Sequence, residues 1–136
     1  MDIEAHIRRN RFSLCMDLIQ VDESPAFEML TFNVNISDYA LNFFDQVTIS
    51  TLQLDQFIDD IERKSGAVLY LSSIPSQNKS NIILKIDRAS SAVIIYYIKE
   101  TILPTQSKVS HKHIMHTDSI EMSRFCSAFI EFPRWW

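Results

Sequence analysis

The 136 residues, 46% hydrophobic and 22% charged, fit one domain of ordinary globular composition, long enough to bury about two-thirds of the surface its unfolded form exposes. Disordered and fibrous classes drop out, and so do phosphate-cradling loops and dinucleotide fingerprints, which need several glycines where Gly66 is the only one. The net charge of −4 is unevenly divided: residues 1–62 hold twelve acids and three bases, residues 63–136 five acids and ten bases. An acidic half opposes a nucleic-acid partner and favours a basic one; solubility alone is the other explanation of such a face.

The opening MDIEAHIRRNRF has no apolar run of signal-peptide length, and no later segment has the length of a membrane span, so a cytoplasmic protein without a membrane partner is expected. Cys15 and Cys126 fall within predicted elements and read as two buried thiols in a reducing compartment. Arg11 to Val21 alternates Phe12, Leu14, Met16 and Leu18 with polar or small residues, as a half-buried strand does, and Asp22-Glu23-Ser24-Pro25 ends it. A second strand, Phe27 to Ile36, puts Leu30, Phe32, Val34 and Ile36 on one face, and Ser37-Asp38 turns into a third, Tyr39 to Ser50. In that third strand Asp45 shares a face with Tyr39, Leu41, Phe43, Val47 and Ile49, a place that suits a rim or a bulge.

Thr51 to Gly66 is the clearest helix. Leu54, Phe57, Ile58 and Ile61 form its apolar side, Asp55, Asp59, Asp60 and Glu62 its acidic side, and Gly66 supplies the left-handed turn after it. Like charges one turn apart weaken a helix by a few tenths of a kcal/mol, although Asp59 can pair with Arg63 and Asp60 with Lys64. Ala67 to Ser72, Asn81 to Arg88 and Ala92 to Ile102 are three more strands, the last two joined by a tight turn at Ala89-Ser90-Ser91. The runs IILKI and AVIIYYI fit central strands covered on both faces or a subunit contact, which leaves a homodimer open.

Residues 73–80 and 104–110 read as loops, the second leading into a short strand at His111–His116. Asp118-Ser-Ile-Glu121 is a capping box opening a last helix with the stripe Ile120, Met122, Phe125, Cys126 and Phe129, ended at Pro133. Trp135 and Trp136 then either fold back on the sheet or anchor a partner. A shift of 68 residues lays Leu52, Leu54, Phe57 and Ile61 over Ile120, Met122, Phe125 and Phe129. The expected fold is therefore α+β, mainly antiparallel sheets with two helices in a single domain, compatible with two strands-then-helix half-repeats, 1–66 and 67–136.

Three groups could carry function. His111, His113 and His116 spell H-x-H-x-x-H, a weak metal signal: on a strand only the first two share a face, no cysteine or carboxylate completes a ligand set, and a solvent-facing strand is the plainer explanation. Tyr39, Phe43, Phe44, Tyr96 and Tyr97 with Lys85, Arg88 and Lys99 could stack single-stranded nucleic acid, yet core packing accounts for most of them and the isoelectric point near 5.5 opposes that use. The acidic residues Asp55, Asp59, Asp60 and Glu62, then Asp22, Glu23 and Glu28, could dock a basic protein.

FNVNISDYALNFFDQVTIS, the helix LDQFIDDIERKSGAVLYL, the hairpin NIILKIDRASSAVIIYYIKE and the closing IMHTDSIEMSRFCSAFIEFP together resemble WapI-type bacterial immunity proteins over residues 12–133, the kind that also serves contact-dependent growth inhibition. The resemblance implies a cytoplasmic antitoxin, with no catalysis and no cofactor, that binds and blocks a cognate toxin domain, often a nuclease. With a half-repeat the layout also resembles the Whirly type of fold, whose members bind single-stranded DNA, an activity at odds with the acidic first half. Toxin neutralisation through an acidic surface is thus the leading expectation, single-stranded nucleic-acid binding the alternative, and a small enzyme or metal-binding protein centred on the histidines a third.

Overall fold

The computed structural model describes residues 1–23, 28–38, 42–64, 66–75, 80–101 and 107–136. Strands β1 (Asp2–Ile7), β2 (Phe12–Glu23), β3 (Glu28–Ser37) and β4 (Asn42–Ser50) form one antiparallel sheet in chain order, followed by α1 (Thr51–Arg63). Strands β5 (Val68–Ser72), β6 (Ser80–Asp87), β7 (Ala92–Thr101) and β8 (Ser107–His116) form a second, followed by α2 (Ser119–Ile130). The fold is α+β, as the alternating segments and two helical stripes require.

Strand β1 is an addition to the sequence reading. Ile3, Ala5 and Ile7 alternate with Asp2, Glu4 and His6 and are buried opposite Met16, Leu14 and Phe12 of β2. The strand is short, and its solvent face is charged enough to read as a terminal segment. β8 also begins earlier than expected, at Ser107, so part of the 104–110 loop is strand. Ser24 to Phe27, Tyr39 to Leu41, residues 76–79 and residues 102–106 lie outside the described residues.

The inward rows of both sheets meet in one core with both helices. Phe32, Val34, Ile36 and Val47 come from the first sheet, Leu84, Ile86, Val93 and Ile95 from the second, and the void between the sheets is only about 10 Å³. Helix α1 contributes Leu54, Phe57, Ile58 and Ile61, and Phe57 meets Phe129 of α2 edge-on at 5.2 Å. Leu52 and Ile120, paired by the 68-residue shift, are instead 66% and 62% exposed, because each sits on the side of its helix opposite the apolar stripe. Phe132, just past α2, packs 6.0 Å from Phe32.

The helix ends differ in part from expectation. Ser50 caps α1, its hydroxyl accepting from the Gln53 amide at 3.1 Å. The left-handed residue that closes α1 is Lys64 (φ 51°), with Gly66 (φ 81°) beyond it. The guanidinium of Arg88, two strands away, donates to the Ile61 carbonyl at 2.9 Å and the Asp60 carbonyl at 3.3 Å, placing a cation on the carbonyl end of the helix. At α2, Asp118 accepts from the Glu121 amide at 2.8 Å, but the returning half of the capping box is not made: Glu121 turns to Arg9, 3.7 Å away.

Candidate interaction surface

Lysine and arginine are absent from β1, β2, β3 and β4. Asp2, Glu4 and Asp17 lie on the solvent face of the first sheet beside Asn33 and Asn35, with Asp2 directly opposite Asp17 and Glu4 opposite Cys15. Past a one-residue bulge between Leu18 and Gln20 the same face continues to Asp22, whose carboxylate accepts from Gln20 Nε2 at 2.9 and 3.0 Å. The negative field is felt by the Cys15 thiol, whose pKa is raised first by burial and then by Glu4, Asp2 and Asp17. Cys15 is free and half-buried, not fully buried as expected, whereas free Cys126 is buried. Asp2, Glu4 and Cys15 also bring one ligand atom each within 4.8 Å of one another, yet two exposed carboxylates and one protonated thiol fit neither a hard-oxygen nor a soft-sulfur cation.

Glu23 and Glu28 face each other across the end of the β2–β3 ladder, beyond Met29, where β4 ends and α1 begins. Glu23 is exposed; Glu28 is half-buried, and its Oε2 has no hydrogen-bond partner among the described residues. This places all three acids of the hairpin, Asp22, Glu23 and Glu28, toward one end of the acidic sheet.

The acidic stripe of α1 is occupied from within the chain. Arg134 Nη1 lies 3.1 Å from Asp55 and 3.2 Å from Asp59, its Nη2 lies 3.9 Å from Glu62, and Trp136 donates its indole N–H to Asp55 at 2.7 Å. Burial pushes the Arg134 pKa down, but Asp55 and Asp59 outweigh it and leave it raised. Asp59 therefore pairs with Arg134 rather than Arg63, and Asp60, turned to another side, accepts from Gln56 at 2.8 Å rather than pairing with Lys64. Of the terminal tryptophans, Trp136 folds back, though onto Phe132 and Asp55 of α1 rather than onto the sheet, while Trp135 stays 45% exposed.

The histidines do not converge. His111 and His113 share the inner side of β8, but His111 stacks on Tyr97 and His113 Nδ1 lies 3.2 Å from Asp38, just past the end of β3. His116 is on the opposite face, and no three-residue metal group that includes a histidine exists among the described residues. Asp45 stands at the same end. It accepts from the Ser80 hydroxyl, from Lys99 at 3.3 Å and from Tyr97 at 3.4 Å, tying β4 to β6 and β7. Burial raises its pKa, but the Ser80 bond, the Gln46 amide and Lys99 outweigh that, and the net shift is downward.

The aromatic platform is also dispersed. Tyr97 is buried, Phe44 is 65% exposed on the first sheet, and Tyr39 and the Phe43 side chain lie outside the described residues. Tyr96 does sit on the solvent face of the second sheet, joined there by Tyr70, Lys85, Lys112 and Ile114. Lys85 lies over the Tyr70 ring at 5.8 Å and Lys112 over Tyr96 at 5.3 Å. The two sheets thus present an acidic face and an aromatic face with lysines. No helix among the described residues is long and apolar enough to cross a membrane.

No protein-family model matches the chain, and neither a curated protein nor a solved structure matches it.

Proposed function

We propose that this chain is a toxin-neutralising immunity protein, a binding module without chemistry of its own, whose acidic first sheet docks on the basic surface of a cognate toxin domain such as a nuclease. The observation that carries the reading is the solvent face of β1–β4, where Asp2, Glu4, Asp17 and Asp22 share one surface and none of the four strands has a lysine or arginine. Opposed like charges such as Asp2 and Asp17 weaken a sheet, so stability does not account for them; a cationic partner does. Asp22 and Glu23 extend the surface, whereas Asp55 and Asp59 would join only by exchanging Arg134 for a partner's base. The test is binding to, and protection of growth against, a basic toxin domain encoded immediately upstream. The doubly substituted Glu4→Lys, Asp17→Lys protein should lose at least about tenfold in affinity with its melting temperature kept. Undiminished binding by that variant would remove the first sheet as the docking face.

A second reading has its own observation, the cation–aromatic pairs of Lys85 with Tyr70 and Lys112 with Tyr96 on the second sheet. Stacked bases above lysine-flanked rings are how single strands are held, and a labelled oligonucleotide bound at physiological salt, and lost in Tyr70→Ala with Tyr96→Ala, would favour it.

A further inference from the structure

The three bases among the first 62 residues are Arg8, Arg9 and Arg11, so the whole positive charge of the acidic half sits in one 3₁₀ turn between β1 and β2. Helix α2, which packs against β1, brings Arg124 to the same place. The result is a groove of about 700 Å³ into which Arg8, Arg11 and Arg124 project together with His6 and Ser13. This volume lies in the range of small-molecule sites.

The arginines are unequal. Arg9 lies 3.7 Å from Asp118 and 3.7 Å from Glu121, locking the turn to the start of α2. Among the described residues, the side chains of Arg8, Arg11 and Arg124 make no ion pair or hydrogen bond. Unpaired guanidiniums gathered in one concavity repel one another, and planar forks of this kind match phosphate oxygens two at a time. Arg11 is moreover held at φ 49°, ψ 31°, a left-handed conformation that glycine would adopt without strain. Glu121 and Glu4 also line the groove, and Glu121 Oε2 is buried with no hydrogen-bond partner among the described residues. A ligand that satisfies both carries an anionic group for the arginines and hydroxyl or amino donors for the carboxylates.

We infer that this groove is a binding site for a small phosphorylated ligand of nucleotide size, its phosphate held by Arg8, Arg11 and Arg124 and a donor group on its body received by Glu121. The groove adjoins the acidic face and shares Glu4 with it, but its arginines take no part in docking a basic partner, so the site stands whether or not that face binds a toxin.

Calorimetric titration of the full chain with adenosine 5′-monophosphate, with adenosine as the uncharged control, tests it. Saturable binding of the nucleotide tighter than about 1 mM is expected, weakening as salt is raised, with no binding of adenosine. Arg124→Ala should weaken it at least about tenfold, and Arg11→Gly likewise while leaving the melting temperature unchanged or higher, which separates loss of the ligand from loss of the fold. No saturable binding of the nucleotide up to about 10 mM, equal binding of adenosine, or binding untouched in both variants would overturn the site.

Discussion

Arg134 and Asp55 stand 79 positions apart in the chain and meet at 3.1 Å. The contact turns the acidic stripe of α1 from a bare like-charge array into a network of one guanidinium with three carboxylates, and the Trp136 indole adds a fourth bond to the same helix. Arg134 and its partners are partly shielded but still solvent-touched, so each pair is worth at most about 1 kcal/mol. Arg134→Ala should lower the stability by about 1–2 kcal/mol in urea unfolding, because it also leaves three acids facing one another. Asp59→Lys should destabilise by a similar amount, and a melting curve indistinguishable from the parent's would refute the network.

The first sheet gives the opposite sign. Asp2 and Asp17 are directly paired across β1 and β2, both without a cation among the described residues. Asp17→Asn removes the repulsion and should raise stability by about 0.2–1 kcal/mol, while weakening any basic partner that uses this face. Gain in one assay and loss in the other is the expected joint outcome; loss of stability would mean that Asp17 has a structural role.

Much of the architecture was legible because its periodicities are local. The apolar stripe of α1, the Asp118–Glu121 cap spacing and the inward row of β3 all lie within a few residues of one another, whereas the continuous apolar run of β7 suggests cover on both faces and has it on one. What could not be read locally was partnership. Nothing near Asp59 in sequence points to Arg134, and Arg63, the neighbour that does, is not its partner. The same applies to Asp45, which looked stranded on an apolar face until β6 and β7 supplied Ser80, Tyr97 and Lys99. β1 was a different kind of miss, since Ile3, Ala5 and Ile7 do alternate, over a stretch whose charged residues and position at the start of the sequence hid the pattern. The arginine groove depended on α2 lying against β1, a tertiary fact, although RRNR within an otherwise acidic half was a signal in plain view.

Helix packing makes a stability prediction independent of charge. Phe129 is fully buried, edge-on to Phe57 at 5.2 Å and 5.7 Å from Phe125, and joins the two helices over the shared core. Phe129→Ala should cost about 3–5 kcal/mol, a large fraction of the whole stability of a domain this size, and Phe129→Leu much less. Calorimetry or urea unfolding reads both, and near-neutral behaviour of the alanine variant would mean that α2 is not seated on α1 as described.

Asp45 provides the pH dependence. Folding lowers its pKa from the ordinary 3.8, burial being outweighed by the Ser80 hydroxyl, the Gln46 amide and Lys99. A carboxylate with a lowered folded-state pKa stabilises the native state fully above its unfolded value, and that contribution disappears as the pH falls through the folded value. At pH 7, Asp45→Asn should therefore unfold more easily by about 1–3 kcal/mol, since it removes a charged acceptor from three donors on two strands of the other sheet. The gap between parent and variant should be constant down to about pH 4–5 and close below the ordinary carboxylate value, where the parent loses the same charge. Parallel urea titrations from neutral to strongly acid pH measure that gap. A gap that stayed constant through the acid range would show that the Asp45 charge contributes nothing and that only its shape holds β4 against β6 and β7.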